Sequence, residues 1–299
     1  MSTGFNIGRS NGGPKPPASL VLEHELSELR LLMERQGGVL LDCPQDVLGA
    51  KVREYLESRR LKSVADLLGR LHASDTECEN LLAHLLDGET AFFRHPGAFA
   101  AFQQQVLPEL DQRKTADTPQ SLRIWSAGCS TGEEAYSIGV SVCEAMDGNG
   151  RGWSIHILAT DIRQPALTFA ERGLYPQPAL AALPRSQAHT YFAKVGQHYL
   201  AKPRLRNLIT FTQMNLARPV YLGRFDCIFC MDVLPHFSSA QRMALAQRLH
   251  LYLEPGGYLF LGDGEKLHTV DIGFQSQTHK NFTLYRKPFA AAARAGRPF

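Results

Sequence analysis

Apolar positions along the first hundred or so residues recur every three or four places, the spacing of one buried face of a helix. Leu22, Leu26, Leu29 and Met33 make one such stripe, which stops at Gly37-Gly38. A second helix is expected over about Asp46 to Arg60 and a third over about Val64 to Leu71. Ser74 with Glu77 has the spacing of a capping box ahead of a fourth helix, which carries Leu81, Leu82, Leu85 and Leu86. Pro96 opens a further helix through about Leu110, and the polar run from Asp111 to Ser121 reads as a link. From Leu122 the pattern changes. Short apolar runs at 122–126, Trp153 to Thr160, Leu208 to Thr212, Phe225 to Cys230 and Tyr258 to Leu261 alternate with helix-period stretches at 133–142, Pro165 to Arg172 and Ser239 to Leu253. Glu254-Pro-Gly-Gly257 reads as the stop of the last helix, and Phe274 with Phe282 to Tyr285 as a closing hairpin. Alternating strand and helix predicts right-handed crossovers and a mostly parallel sheet. The fold class expected is therefore α/β: a Rossmann-like sheet preceded by an all-helical N-terminal domain. The segment between Leu174 and Asn207 is too long for a simple loop and holds two β-like pieces, YFAKV and QHYLAK, around Gly196. It reads as a small inserted antiparallel β subdomain. The expected boundaries are a disordered tail over 1–18, a helical domain over 19–115, a sheet domain over 116–288 with its insert at about 176–207, and a second disordered tail over 289–299.

The strand–loop–helix from Leu122 to Val142, LRIWSAGCSTGEEAYSIGVSV, organises the rest. A Gly-rich turn between strand and helix is the usual entry of a nucleotide-sized ligand in α/β folds. Gly128-Cys-Ser-Thr-Gly132 has two glycines rather than the three of a dinucleotide turn, and no Gly-Lys-Ser/Thr follows. Glu133 and Glu134 stand where a diphosphate would sit, and the helix dipole is expected to keep them ionised. Two carboxylates repel phosphate and suit hydroxyls, an amine or a sulfonium, which points to S-adenosylmethionine and away from a dinucleotide-dependent dehydrogenase. Asp161, after the second strand, is placed either for both ribose hydroxyls or to cap the next helix. Asn215-Leu216, after the third strand, lies where an adenine edge would be read. Thr90 and Arg94 flank Phe92-Phe93, rings expected to pack on the sheet, so Arg94 is a fork of donors for a carboxylate.

Composition adds limits. The chain is 44% hydrophobic and 20% charged, ordinary for a globular protein, and a net charge of +3 is too small to imply nucleic acid as partner. No apolar run is long enough to insert directly into a membrane. Six scattered cysteines without a leader-like segment suit the reduced cytoplasm. Cys227-x-x-Cys230 falls within a predicted strand, where residues three apart face opposite sides, so no metal site is expected. Charge is concentrated in the second helix: Lys51, Arg53, Arg59, Arg60 and Lys62 outweigh Glu54 and Glu57. That face is either merely solvated or a dock for an acidic helical partner.

In order and spacing, ETAFFR (89–94), LRIWSAGCSTGEEAYSIG (122–139), ILATDI (157–162), NL (215–216), FDCIFCMDVLPHF (225–237) and LEPGGYLFLGDGEKL (253–267) resemble the CheR-type protein-glutamate O-methyltransferases of bacterial chemotaxis. The resemblance runs from about Leu20 to Arg286. It implies a class I methyltransferase sheet over 116–288 and S-adenosyl-L-methionine as cofactor. It also implies methylation of glutamate side chains on the cytoplasmic helices of chemoreceptors, or of another acidic helical signalling protein. The family's cofactor positions fall on Thr90, Arg94, Glu134, Asp161, Asn215, Leu216, Met231 and Asp232, with Gly128 in the intervening loop. Its basic second helix is similar to Lys51, Arg53, Arg59 and Arg60. Arg94 and His236 are the residues expected to serve the reaction. Three positions depart from the pattern: Gly88 for a common Asn, Met231-Asp232 for the usual Arg-Asn, and Pro235-His236-Phe237 for the usual Ile-Tyr-Phe. These departures leave open a methyltransferase with another acceptor, or a cofactor-binding module without turnover. Asp232 is expected to accept a hydrogen bond from the cofactor's amine.

Overall fold

A computed structural model describes residues 23–86, 90–114, 120–146, 152–218, 220–267 and 272–289. The tail expected over 1–18, nearly all of the one over 289–299, and Gly88 and Glu89 lie outside the described residues.

Four helices form the N-terminal layer: α1 (Glu23–Leu32), α2 (Gln45–Ser58), α3 (Val64–Ala73) and α4 (Asp75–Leu85). α1 runs on through a π turn to Gly37 and ends at Gly38, whose φ of 75° needs a residue without a Cβ. Ser63 and Ser74 accept the N–H groups of Asp66 and Glu77 and so cap α3 and α4. Their apolar stripes meet in one core that also takes in Trp125, Phe225 and Leu259 of the sheet. This layer therefore covers one face of the sheet.

The sheet comprises β1 (Ser121–Ala127), β2 (Ser154–Asp161), β6 (Ile209–Gln213), β7 (Phe225–Cys230), β8 (Leu253–Leu261), β9 (Gln275–His279) and β10 (Phe282–Arg286). Its order is β6-β2-β1-β7-β8-β10-β9. The first five strands run parallel, and β10 and β9 close the edge as an antiparallel hairpin. The order reverses between β1 and β7, which opens a crevice at their carboxyl ends. α7 (Glu133–Met146), α8 (Gln164–Arg172) and α11 (Ser239–Tyr252) are the crossover helices.

α5 (Pro96–Ala101) and α6 (Leu107–Arg113), joined by a π turn over Phe102–Val106, pack on the opposite face from the N-terminal layer. Phe99 and Phe102 lie against Phe229, which stacks on Phe260 at 4.4 Å. Packing therefore groups residues 96–113 with the sheet, although the polar link after Asp111 had suggested a boundary at 115. Helical periodicity marks a buried face but not the surface that buries it. Cys227 and Cys230 do face opposite sides of β7, one in each core.

The insert is a three-stranded antiparallel sheet, β3 (Leu174–Pro176), β5 (His198–Ala201) and β4 (Phe192–Val195), in the order β3-β5-β4. Between β3 and β4 lies α9 (Arg185–Tyr191), and α10 (Pro203–Arg206) returns the chain to β6. The insert begins at Leu174, two residues before the expected position. Tyr175 anchors it, donating to the Thr131 carbonyl at 2.7 Å and meeting the Phe92 ring edge-on at 5.0 Å.

A second correction concerns Glu254-Pro-Gly-Gly257. β8 begins at Leu253, directly after α11, and the tetrapeptide bulges within the strand: Phe225 pairs with Leu253 and Cys227 with Tyr258. Gly256 adopts a left-handed φ of 77°, and a Cβ on Gly257 would lie 3.0 Å from the Asp226 carbonyl. The glycines permit a kink in a strand that still pairs.

Candidate active site

A cavity of about 360 Å³ opens at the carboxyl ends of β1, β2 and β7. Thr90, Arg94, Gly128, Glu134, Asp161, Asn215, Leu216, Met231, Asp232 and His236, drawn from five stretches of sequence, all line it. The loop after β1 forms its floor. Gly128 has a φ of 94°, and a Cβ there would meet Val233 Cγ2 at 2.5 Å. Its N–H and that of Cys129 donate to the Thr160 carbonyl at 2.8 and 2.9 Å, which ties the loop to the end of β2.

Only Glu134 of the acidic pair faces the cavity. Glu133 turns away, is buried, and accepts from the Thr131 hydroxyl at 2.7 Å. Burial raises the Glu133 carboxyl above its ordinary value and raises that of Glu134 to about 7. For Glu134 this holds despite a 2.6 Å bond from Ser126 Oγ and the favourable field of His95. Desolvation thus works against the helix dipole expected to keep both ionised.

Asp161 is the last residue of β2 and is buried. Its Oδ2 accepts the Ser130 N–H at 2.8 Å, and its Oδ1 accepts the Arg163 N–H at 2.9 Å and Nε at 3.1 Å. These bonds grip the carboxylate from the protein side and fix its orientation. The Arg163 N–H contact is a local turn like the capping alternative, although α8 itself takes no side-chain cap from Arg163.

Two residues expected at the ligand also have protein partners. Asn215 accepts the Ala217 N–H at 2.8 Å and donates to the Gly37 carbonyl at 3.4 Å, so its amide clips the N-terminal layer to the site. The Leu40 N–H likewise donates to the His236 carbonyl at 2.7 Å, and Val39 joins the cavity wall. Asp232, expected to meet a ligand amine, pairs with the Nε atoms of two neighbours: His95 Nε2 at 2.8 Å and Arg94 Nε at 3.3 Å. It sits at a φ of 59°, a conformation that short Asp and Asn side chains tolerate. Glu265 holds this loop by accepting the N–H groups of Gly262, Asp232 and Leu234. Met231 is buried. His236 is half-buried, and burial first, then the Arg163 charge, lowers its imidazole below the ordinary range.

Of the expected basic residues, Arg53 on α2 and Arg59 and Arg60 just beyond its end are exposed. Lys51 is not part of that surface. It is half-buried, and its ammonium donates to the Leu85 carbonyl at 2.9 Å at the end of α4, so it serves as a helix-end cap. Leu86, the next residue, lines the cavity. Lys51 thus ties α2 to the chain segment that enters the cavity wall at Leu86. His95, Arg163, Glu265 and Val39 escaped the sequence reading. Arg163 stands two residues beyond Asp161, the offset of a side-chain-to-backbone turn, which was the one local signal available.

The family model described as "CheR methyltransferase, SAM binding domain" matches residues 88–282. The chain belongs to the CheR methyltransferase family. Chemotaxis protein methyltransferase 1 of Pseudomonas aeruginosa is 32% identical over 264 residues, 86% of this chain and 95% of that one. Chemotaxis protein methyltransferase Cher2 of Pseudomonas putida is 31% identical over 84% of this chain and 93% of its own. A solved structure, the magnesium protoporphyrin IX methyltransferase of Synechocystis PCC 6803 with bound SAM, is 18% identical, covers 67% of this chain and 85% of its own, and has a TM-score of 0.33. As a CheR methyltransferase the protein uses S-adenosylmethionine as cofactor. The cavity fits that molecule: a partly buried carboxylic group at Glu134 suits a cation, a Cβ-free floor at Gly128 allows close approach, and a cationic wall at Arg94 and His95 suits a carboxylate.

Proposed function

We propose that the protein transfers the methyl group of S-adenosylmethionine to glutamate side-chain carboxylates on the cytoplasmic helices of chemoreceptors, forming methyl esters, within the cytoplasm. The observation that carries this reading is the exposed basic cluster on and just after α2. Arg53 on α2 and Arg59 and Arg60 just beyond it are exposed, a charge pattern suited to an acidic helix, while Lys51 ties α2 to Leu85, next to Leu86 of the cavity wall. The names of the relatives in two pseudomonads support the chemotactic setting.

The cofactor supplies an electrophilic methyl group on a sulfonium sulfur. The attacking carboxylate is already ionised near neutral pH, so no side chain has to remove a proton. When bound, the cofactor would give up that methyl group to the carboxylate oxygen and be left as a thioether, the acceptor as a neutral ester. Residues of this chain then supply alignment and exclusion of water. Asp161, already gripped by Ser130 and Arg163, presents its outer lone pairs to the ribose hydroxyls. Glu134 takes the amine, and Arg94, about two-fifths exposed at the wall, takes a carboxylate. Thr90, Leu216 and backbone near Asn215 enclose the nucleoside. Neutral His236 can hydrogen-bond beside the acceptor without adding charge, and Met231 and Phe99 keep that side dry.

The test is transfer of labelled methyl to a receptor cytoplasmic fragment, with methanol released by base. Absence of base-labile label on every acidic coiled-coil substrate tried would remove the ester-forming reading. The Asp232–Arg94 pair favours one other reading, a module that binds the cofactor without turnover. Calorimetric binding of S-adenosylhomocysteine combined with no transfer to any acceptor is its signature.

A further inference from the structure

His95 is buried and touches a carboxylate with each ring nitrogen: Nε2 lies 2.8 Å from Asp232 Oδ2, and Nδ1 lies 3.2 Å from Asp263 Oδ2. A ring nitrogen bonds a carboxylate only as a donor, so both contacts together require the imidazolium. The Asp263 N–H stands 3.4 Å from the same Nδ1 and becomes its donor when the ring loses that proton. Two arrangements of one ring are thus built in, and Nε2 keeps Asp232 in both. What differs is charge. Asp232 also faces the Arg94 guanidinium at 3.3 Å. With His95 charged, Asp232 is shared between two cations. With His95 neutral, Arg94 is the remaining cation in contact with that carboxylate and is drawn to it.

We infer that His95, as an imidazolium, is a positioning residue that neutralises Asp232 and so turns the donors of Arg94 toward the carboxylate of the bound ligand. The inference makes His95 the counterpart of Asp232, where a neutral Asn is usual and the preceding residue is Met231 instead of Arg. It rests on Arg94 as the carboxylate-binding residue and not on the identity of the methyl acceptor. Burial alone would lower the His95 imidazole, but its bonds to Asp232 and Asp263 prevail and raise it above the ordinary histidine range. The other titratable or charged groups around it are Asp232, Asp263 and Glu265 on the loops after β7 and β8, Glu134 on α7, and its neighbour Arg94. Glu134 acts in the opposite direction, since it gains charge and amine affinity as pH rises. The His95 charge also favours the Glu134 carboxylate, so the Asp232→Asn background is needed to separate the route through Asp232 from one through Glu134.

The experiment is calorimetric titration with S-adenosylhomocysteine and with 5′-methylthioadenosine, which keeps the nucleoside and sulfur but has no amino-acid carboxylate. Near pH 6.5, His95→Gln is expected to weaken homocysteine-ligand binding about tenfold and methylthioadenosine binding by less than about twofold. The gap closes as pH rises. In an Asp232→Asn background the same substitution costs less than about threefold. Equal loss for both ligands, a loss independent of pH, or an undiminished loss in the Asp232→Asn background would each overturn the inference. Arg94→Gln separates it from the reading beneath it: if Arg94→Gln weakens the homocysteine ligand and His95→Gln does not, only the inference fails. If neither does, the reading of Arg94 fails too. A measurement independent of whether His95→Gln folds is the NMR titration of the ring in the unaltered protein. The midpoint is expected above that of an ordinary histidine and to fall in Asp232→Asn; an ordinary midpoint unmoved by Asp232→Asn contradicts the inference.

Discussion

Replacing Glu134 by Gln should stabilise the ligand-free protein while weakening its hold on the cofactor. The Glu134 carboxyl is raised from 4.5 to about 7 because burial at the cavity floor disfavours its charge. In the unfolded chain it ionises normally. Below about pH 4.5 the group is neutral in both states and folding is indifferent to it. Above pH 7 it is charged in both, and the folded state carries the full penalty, about 3 kcal/mol at about 1.36 kcal/mol per pH unit. Glutamine keeps the shape and a bond to Ser126 but has no charge to desolvate. The substitution should therefore raise the melting temperature at pH 8 by roughly 5 °C for a chain of this length, and by nothing near pH 4.5. Scanning calorimetry across that range tests the size and the pH window together. With saturating S-adenosylhomocysteine the order should narrow or reverse, because the ligand's ammonium stabilises the carboxylate of the wild type alone. Equal melting of both proteins at pH 8, or equal affinity for the ligand, would refute the account of Glu134 as a destabilised group kept for binding.

Gly128→Ala would set a Cβ 2.5 Å from Val233 Cγ2 at a left-handed φ, so a loss of about 1–3 kcal/mol in urea unfolding, together with impaired ligand binding, is expected. Phe229→Ala removes a fully buried ring stacked on Phe260 and edged by Phe102, and should cost about 3–5 kcal/mol by denaturant titration; a loss below about 1 kcal/mol would contradict that packing. Charge reversal at Arg53, Arg59 and Arg60 together should raise KM for a receptor fragment at least about tenfold, in a salt-dependent way, and leave calorimetric affinity for S-adenosylhomocysteine unchanged. Lys51→Ala should instead lower stability by about 1 kcal/mol through the lost bond to Leu85, seen as an earlier unfolding midpoint.

The ligand-facing floor was legible because it is local. A buried strand, two glycines and an acidic helix start lie within about a dozen residues, and Gly128 and Glu134 fall where that pattern puts them. Residues remote in the chain were legible mainly through the family resemblance. The sequence says least about a side chain's partners within the protein. Lys51 also donates to the Leu85 carbonyl, and the Asn215 amide also joins Gly37 and Ala217, contacts that no local pattern announces. His95 carries no local signal, because its carboxylates come from loops more than a hundred residues away. The tetrapeptide 254–257 misled for another reason: Pro and Gly usually break regular elements, yet here the kink is absorbed by a bulge against β7.

The clip from Asn215 to Gly37, the Leu40–His236 bond and Val39 in the wall mean that the pocket is walled by two distant parts of the chain. A gene trimmed to the family-matched span of 88–282 would encode the sheet and the acidic floor but leave one side of the binding chamber missing. It would also strip the cover from Trp125, Phe225 and Leu259. Fragments of that kind should aggregate before they bind, and the amino-terminal helices are better regarded as part of the catalytic body than as a detachable adaptor for the receptor.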